Sequence, residues 1–146
     1  MGRRAKAPYV QMNLGDSFLN LSSRGQKAIR QSRLGHFGDQ VFDKIPYEDF
    51  AVIYSDKGRG PSDLIYLIAA HMIIVQEDIT ADEFFLRLDS DAAIQYAMHT
   101  TSCTKQPVSR RNYFYFLARV EAYEKETGIN LFEQCFKKIT ESNKKA

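Results

Sequence analysis

Residues 61–102, PSDLIYLIAAHMIIVQEDITADEFFLRLDSDAAIQYAMHTTS, hold the densest apolar run of the chain, and their reading decides the fold. Between Leu64 and Val75 only His71 is polar. A helix that is apolar on nearly every side has to be buried on nearly every side. The run therefore predicts a central core helix in which His71 is buried and Leu67, Ile68 and Ile74 are among the most enclosed side chains. Pro61 suits the start of that helix, Ser62 or Asp63 can cap it, and the Asp63 carboxylate favours the positive end of the helix dipole. Twelve residues rise only about 18 Å, short of the roughly 30 Å hydrocarbon core of a bilayer, so no membrane span is expected.

The rest of the stretch supplies two expected partners for the core helix. Thr80 and Glu83 stand at capping-box spacing, and Phe84, Phe85 and Leu88 follow as an apolar stripe, which predicts a helix over Ala81–Leu88. Asp89, Ser90 and Asp91 interrupt the pattern and offer caps for a third segment, Ala92–Met98, with Ile94, Ala97 and Met98 facing inward. Connections this short imply close packing. The fold class expected is all-α: a compact multi-helix domain around a buried central helix, open to a helix-turn-helix-like arrangement.

A chain of 146 residues with 44% hydrophobic content fits one domain with a real core. Its formal charge of +2 says little by itself, but the charge is segregated: residues 1–40 carry +5, 41–80 carry −4, 81–101 carry −3 and 102–146 carry +4. Basic ends of this kind can reach a polyanion, because neutralising phosphates releases condensed counterions; solvated helix faces are the plainer alternative. Cys103 and Cys135 stand far apart, with no signal peptide before them, which points to a reduced, cytoplasmic setting rather than to a disulfide.

Outside the core stretch, residues 1–21 read as an irregular basic arm, 22–142 as the helical domain and 143–146 as a basic tail. Ser22 or Ser23 can open a helix that continues through RGQKAIRQSRLGHFGDQVFDKI (24–45). On that helix Arg24, Lys27, Arg30 and Arg33, each three residues from the next, would share one broad cationic face. Gly25, Gly35 and Gly38 weaken it. Pro46 starts PYEDFAVIYSD, a short helix or extended buried piece, and DKGRGP (56–61) is a loop. Past Pro107, Ser109 caps a strongly patterned helix closed by Gly128, and Asn130 with Glu133 opens the last one.

Four strings, FAVIYSD (50–56), YAMHTTS (96–102), QPVSRRN (106–112) and AYEKETGINLFEQC (122–135), carry a resemblance in their combined order and spacing. Over roughly residues 25–142 the chain resembles the N-terminal, InsH-like domain of bacterial DDE insertion-sequence transposases. The resemblance implies a non-catalytic role in recognising double-stranded DNA at transposon ends, or in assembling the transposase through self-association or contact with its catalytic domain. In that family a separate ribonuclease-H-like domain carries the three carboxylates that bind two metal ions. Such chemistry needs carboxylates held on a rigid scaffold, and no set of alternating strands is expected here to provide one. Family members often show Ser-Arg-Phe-Arg where this chain has Phe114, Tyr115, Phe116 and Leu117, which removes two cations and favours a packing role for Tyr113 to Phe116. Arg110 and Arg111 at the helix start, and Arg119 further on, remain for phosphate. The alternative function is a helical protein–protein interaction or dimerisation module without DNA binding.

No enzyme, cofactor or metal motif is expected. His99 and Cys103 have helical spacing but no second ligand pair, and His71 reads as a hydrogen-bonded core histidine. Asp82 with Glu83, and Asp89 with Asp91, sit where helix caps and first-turn acids belong. Gly58 and Gly60 lack the spacing of a phosphate loop.

Overall fold

Local capping chemistry sets most of the helix ends. The computed structural model describes residues 17–57, 63–101 and 106–145, and the fold is all-α. Helix α1 (Ser23–Arg30) is capped by Ser22, whose Oγ accepts from the Gly25 N–H at 3.2 Å. Helix α2 (Arg33–His36) is capped by Ser32 and runs on as a π-helical turn, Phe37–Val41, and a 3-10 turn, Phe42–Lys44. A 3-10 segment, Tyr47–Lys57, precedes α3 (Leu64–Glu77). Then come α4 (Ala81–Leu88), α5 (Ala92–Met98), α6 (Arg110–Thr127) and α7 (Leu131–Lys145). Thr80, Asp91, Ser109 and Asn130 cap these last four helices as expected, and Gly128 closes α6 at φ +80°. Asp63 occupies the cap position of α3 but makes no side-chain cap bond; Pro61 and Ser62 lie outside the described residues.

The chain forms two compact units, each built from two stretches. The first comprises the residues up to Phe42 together with Ile79–Pro107; the second comprises Asp43–Asp78 and Val108 onward. Helices α4 and α5, expected to pack on the central helix, belong to the first unit, where α5 packs on α2 and on the π-helical turn. The apolar stripes of short amphipathic helices fit any apolar partner, so their pattern did not choose one.

In the first unit the long helix expected from Ser22 is broken at Gln31 and Ser32. Ser32 Oγ accepts from the Gly35 N–H at 3.1 Å, starting a new helix rather than continuing the old one. The turn is tight: a Cβ on Gly35 would lie 2.0 Å from the Ile29 carbonyl oxygen, so only glycine fits. Gly38 lets the π-helical turn approach α5, where a Cβ would meet the Tyr96 carbonyl oxygen at 2.8 Å. Both glycines are sites of close backbone approach. Phe37, Phe84, Leu88, Ile94 and Met98 form the apolar centre.

The second unit is organised around α3, which packs on α6 and on the 3-10 segment. Leu67 and Ile68 are enclosed as expected, with Ile73, Phe50 and Phe116 beside them among the most buried side chains. Ile74 and His71 are only half-buried, and Val75 is 57% exposed, so α3 keeps one wet edge. His71 uses that edge for a polar contact: its Nδ1 shares a 2.9 Å hydrogen bond with the Tyr113 hydroxyl, and its ring stacks on Phe132 with centroids 4.1 Å apart. Phe50, Phe116 and Phe132 meet in tilted and edge-on pairs at 5.3 to 5.8 Å. The stretch 50–54 is thus helical rather than extended. Its Phe50 ring is fully buried.

Candidate nucleic-acid interface

The seven cations named from the sequence divide between the two units. Arg24, Lys27, Arg30 and Arg33 lie in the first, and Arg110, Arg111 and Arg119 in the second. Because α1 stops at Arg30, Arg33 starts a different helix, and the single four-cation face expected from the spacing does not form. Arg24, Lys27 and Arg30 remain together on α1, all exposed, on a helix with no buried residue and no acid in its first turn.

Arg30 also has structural duties. Its guanidinium lies 5.1 Å from the centroid of the Phe18 ring, and Phe18 in turn tilts onto Tyr96 at 4.5 Å. The Tyr96 hydroxyl donates to Asp39 Oδ1 at 2.5 Å. That bond, followed by burial and the Asp39 charge, raises the Tyr96 phenol above its ordinary pKa, while Arg30 opposes the rise. Beside this cluster His99, in the left-handed conformation at φ 57°, places Nε2 2.7 Å from the Gly38 carbonyl and stacks on Phe42 at 4.0 Å. His99 is thereby a C-cap and a tether; Cys103, its counterpart at metal-ligand spacing, lies outside the described residues.

In the second unit, Arg110 and Arg111 stand on the exposed first turn of α6. Arg110 lies over the Phe114 ring at 4.9 Å; Arg111 lies over Tyr115 at 5.4 Å and donates from Nε to the Tyr115 hydroxyl at 3.2 Å. The aromatic run expected to pack is split by the helical period. Tyr113 and Phe116 are buried, whereas Phe114 is 41% and Tyr115 56% exposed. The sequence signal for this was available: positions 113, 116 and 120 fall on one stripe, and 114 and 115 do not.

Arg119 sits deeper. It donates from Nη1 to the Ile53 carbonyl at 3.3 Å and lies over the Tyr54 ring at 4.8 Å. Burial raises the Tyr54 pKa, with Arg119 pulling it down and Asp63 adding to the rise. These residues border a groove of about 620 Å³ lined by Tyr54, Asp63, Leu67, Asn112, Tyr115 and Arg119, with Ala118 and Ala122 along its α6 wall. Neither the groove nor the exposure of Tyr115 was named from the sequence.

Of the acids considered for catalysis, Asp91 and Glu83 make structural contacts. Asp91 Oδ1 accepts from the Ala93 and Ile94 N–H groups, while its Oδ2 takes Arg87 through Nε and Nη2, both at 2.8 Å. Glu83 pairs with Arg87 at 3.7 Å. Among the described residues no three His, Cys, Asp or Glu side chains gather in a way that could hold a metal ion. Cys135 is buried, and that burial, with the Asp49 charge adding to it and Lys138 opposing it, pushes its thiol up to about 11, far from a reactive thiolate. No single helix among the described residues is long and apolar enough to cross a membrane. Compared with known proteins, the chain matches no family model, no curated protein and no solved structure.

Proposed function

We propose that this chain is a non-catalytic helical domain that binds duplex DNA or assembles a DDE-type insertion-sequence transposase on it, the role its sequence resemblance implies. The observation that carries the reading is the exposed cation pair Arg110 and Arg111 on the first turn of the 18-residue helix α6. The positive end of the helix dipole favours an anion at that place, and two guanidiniums add phosphate donors in fork geometry. Exposed Arg24, Lys27 and Arg30 on α1 offer a second cationic strip. Contacts of this kind position a protein on DNA without reading its sequence.

The test is duplex binding as a function of salt. Replacing Arg110 and Arg111 together by Ala should weaken binding to all duplexes and flatten the logarithmic salt slope by roughly two, at about 0.9 per lost phosphate contact. An unchanged slope, with helicity and melting intact, would remove these two residues from the interface. A second reading is a protein interaction or dimerisation module, which would use exposed apolar side chains such as Leu86 (73%), Val75 (57%) and Tyr115 (56%). Strong dimerisation with no DNA affinity at low salt would establish that reading instead.

A further inference from the structure

The groove beside α6 combines features that duplex binding does not use. Asn112, Tyr115, Arg119 and Ala122 follow at intervals of three, four and three, so one stripe of α6 forms a wall, and Tyr54, Asp63 and Leu67 line the groove with it. Two flat π surfaces are held in place there by cations. Arg111 lies over the Tyr115 ring at 5.4 Å and binds its hydroxyl, the residue staying 56% exposed at the groove, and the Arg119 guanidinium lies over Tyr54 while Nη1 is tied to the Ile53 carbonyl. Exposed aromatic rings and guanidinium planes are surfaces on which unstacked bases settle. The Asn112 amide and the Asp63 carboxylate give one donor-and-acceptor group and one acceptor for the edge of a base. Arg110 and Arg111, on the turn before Tyr115, put positive charge where the attached phosphates would run.

We propose that this groove takes the base of an unpaired nucleotide in a DNA strand, stacked against Tyr115 with its edge facing Asn112. The proposal rests on the DNA-binding reading above and extends it from phosphate to base. The charge favours this occupant: among the groove's described lining residues Arg119 and Asp63 offset one another, and the adjoining turn adds two further cations and no acid. A base held in a duplex stack cannot enter, so frayed or single-stranded ends are the natural source.

The test compares three labelled DNAs by fluorescence polarisation: a blunt duplex, the same duplex with a short single-stranded tail, and that tail with abasic sites. The tail should tighten binding about tenfold, near the lower end of what one base on a ring is worth, and the abasic tail should lose most of the gain. Tyr115→Ala should erase the tail-to-blunt ratio and Tyr115→Phe should keep it; Asn112→Ala should reduce it. Tyr115 and Asn112 are exposed, and unchanged melting of the variants is the folding control. Binding to the blunt duplex without any gain from the tail overturns the base site and leaves the proposed function standing. A gain that survives in the abasic tail is phosphate attraction alone and also overturns the base site. Tail binding without blunt-duplex binding upholds the groove and overturns the duplex reading. If a free deoxynucleoside monophosphate saturates the groove as tightly as the tail does, the occupant is a free nucleotide and the strand is not its source. A loss of self-association on Tyr115→Ala, with DNA binding unaltered, makes the groove a protein interface and overturns the proposal.

Discussion

The two units reach order by different means. The second is built from long helices whose stability comes from area: α3, α6 and α7 bury Leu67, Ile68, Phe116 and Phe132, and Phe50 of the 3-10 segment completes an aromatic cluster. The first has helices of four to eight residues, too short to hold their own shape in water. It compensates with close backbone approach at Gly35 and Gly38 and with a polar tether, Asp39 to Tyr96 and His99 to the Gly38 carbonyl. Where helices are long, side-chain volume decides stability; where they are short, the fit of one backbone against another does.

That contrast is open to direct attack. Leu67→Ala should cost about 2 to 5 kcal/mol, read from denaturant midpoints, because α3 is packed on more than one side and the cavity cannot fully collapse. Amide exchange should speed up most in residues 43–78 and 108–145, and equal acceleration in both units would mean that they open as one. Gly35→Ala should cost about 1 to 3 kcal/mol or more, since the added methyl meets backbone that has to move. A harmless Gly35→Ala would mean that the first unit does not depend on this contact. Tyr96→Phe removes one hydrogen bond and should cost about 1 kcal/mol, with its exchange effect confined to the first unit.

The smallest effect expected is a pH dependence in the second unit. Burial lowers the His71 pKa below its ordinary value near 6.5. Between the unfolded value and the depressed folded one, the unfolded chain binds the proton that the folded chain refuses. Stability from this group is therefore fully present above about pH 6.5 and is lost as pH falls toward the folded pKa. Burial also pushes the Tyr113 phenol up to about 12, so it stays a neutral partner throughout that range. His71→Asn, which keeps a polar group near the Tyr113 hydroxyl, should show a weaker loss of urea midpoint on acidification than the parent chain. Parallel losses would remove His71 from the account.

The sequence was most legible where the information is local. Thr80, Asp91, Ser109, Gly128 and Asn130 each act within four residues of themselves, and a fixed offset is enough to find them. The break at Ser32 was written in the same language, a serine three residues before a glycine, but the continuous pattern of Ile29, Leu34 and Phe37 masked it. The division into units was not legible, because pairings such as His99 with Gly38 join residues 61 apart and leave no period behind. At the candidate interface, composition located Arg110 and Arg111 but not what surrounds them. The groove needs Tyr54 and Tyr115 brought to the same place, and only the packing of the 3-10 segment against α6 does that.

The interleaving of the two units has a consequence for how the chain is made. The path crosses from one unit to the other after Phe42, after Asp78 and after Pro107. During synthesis the first unit therefore lacks α4 and α5 until residues up to 98 have emerged, and the second waits for α6 and α7 with the apolar α3 already outside the ribosome. An exposed Leu67, Ile68 and Ile73 during that interval is a natural target for a chaperone, and a ribosome stalled between α5 and α6 would display it longest.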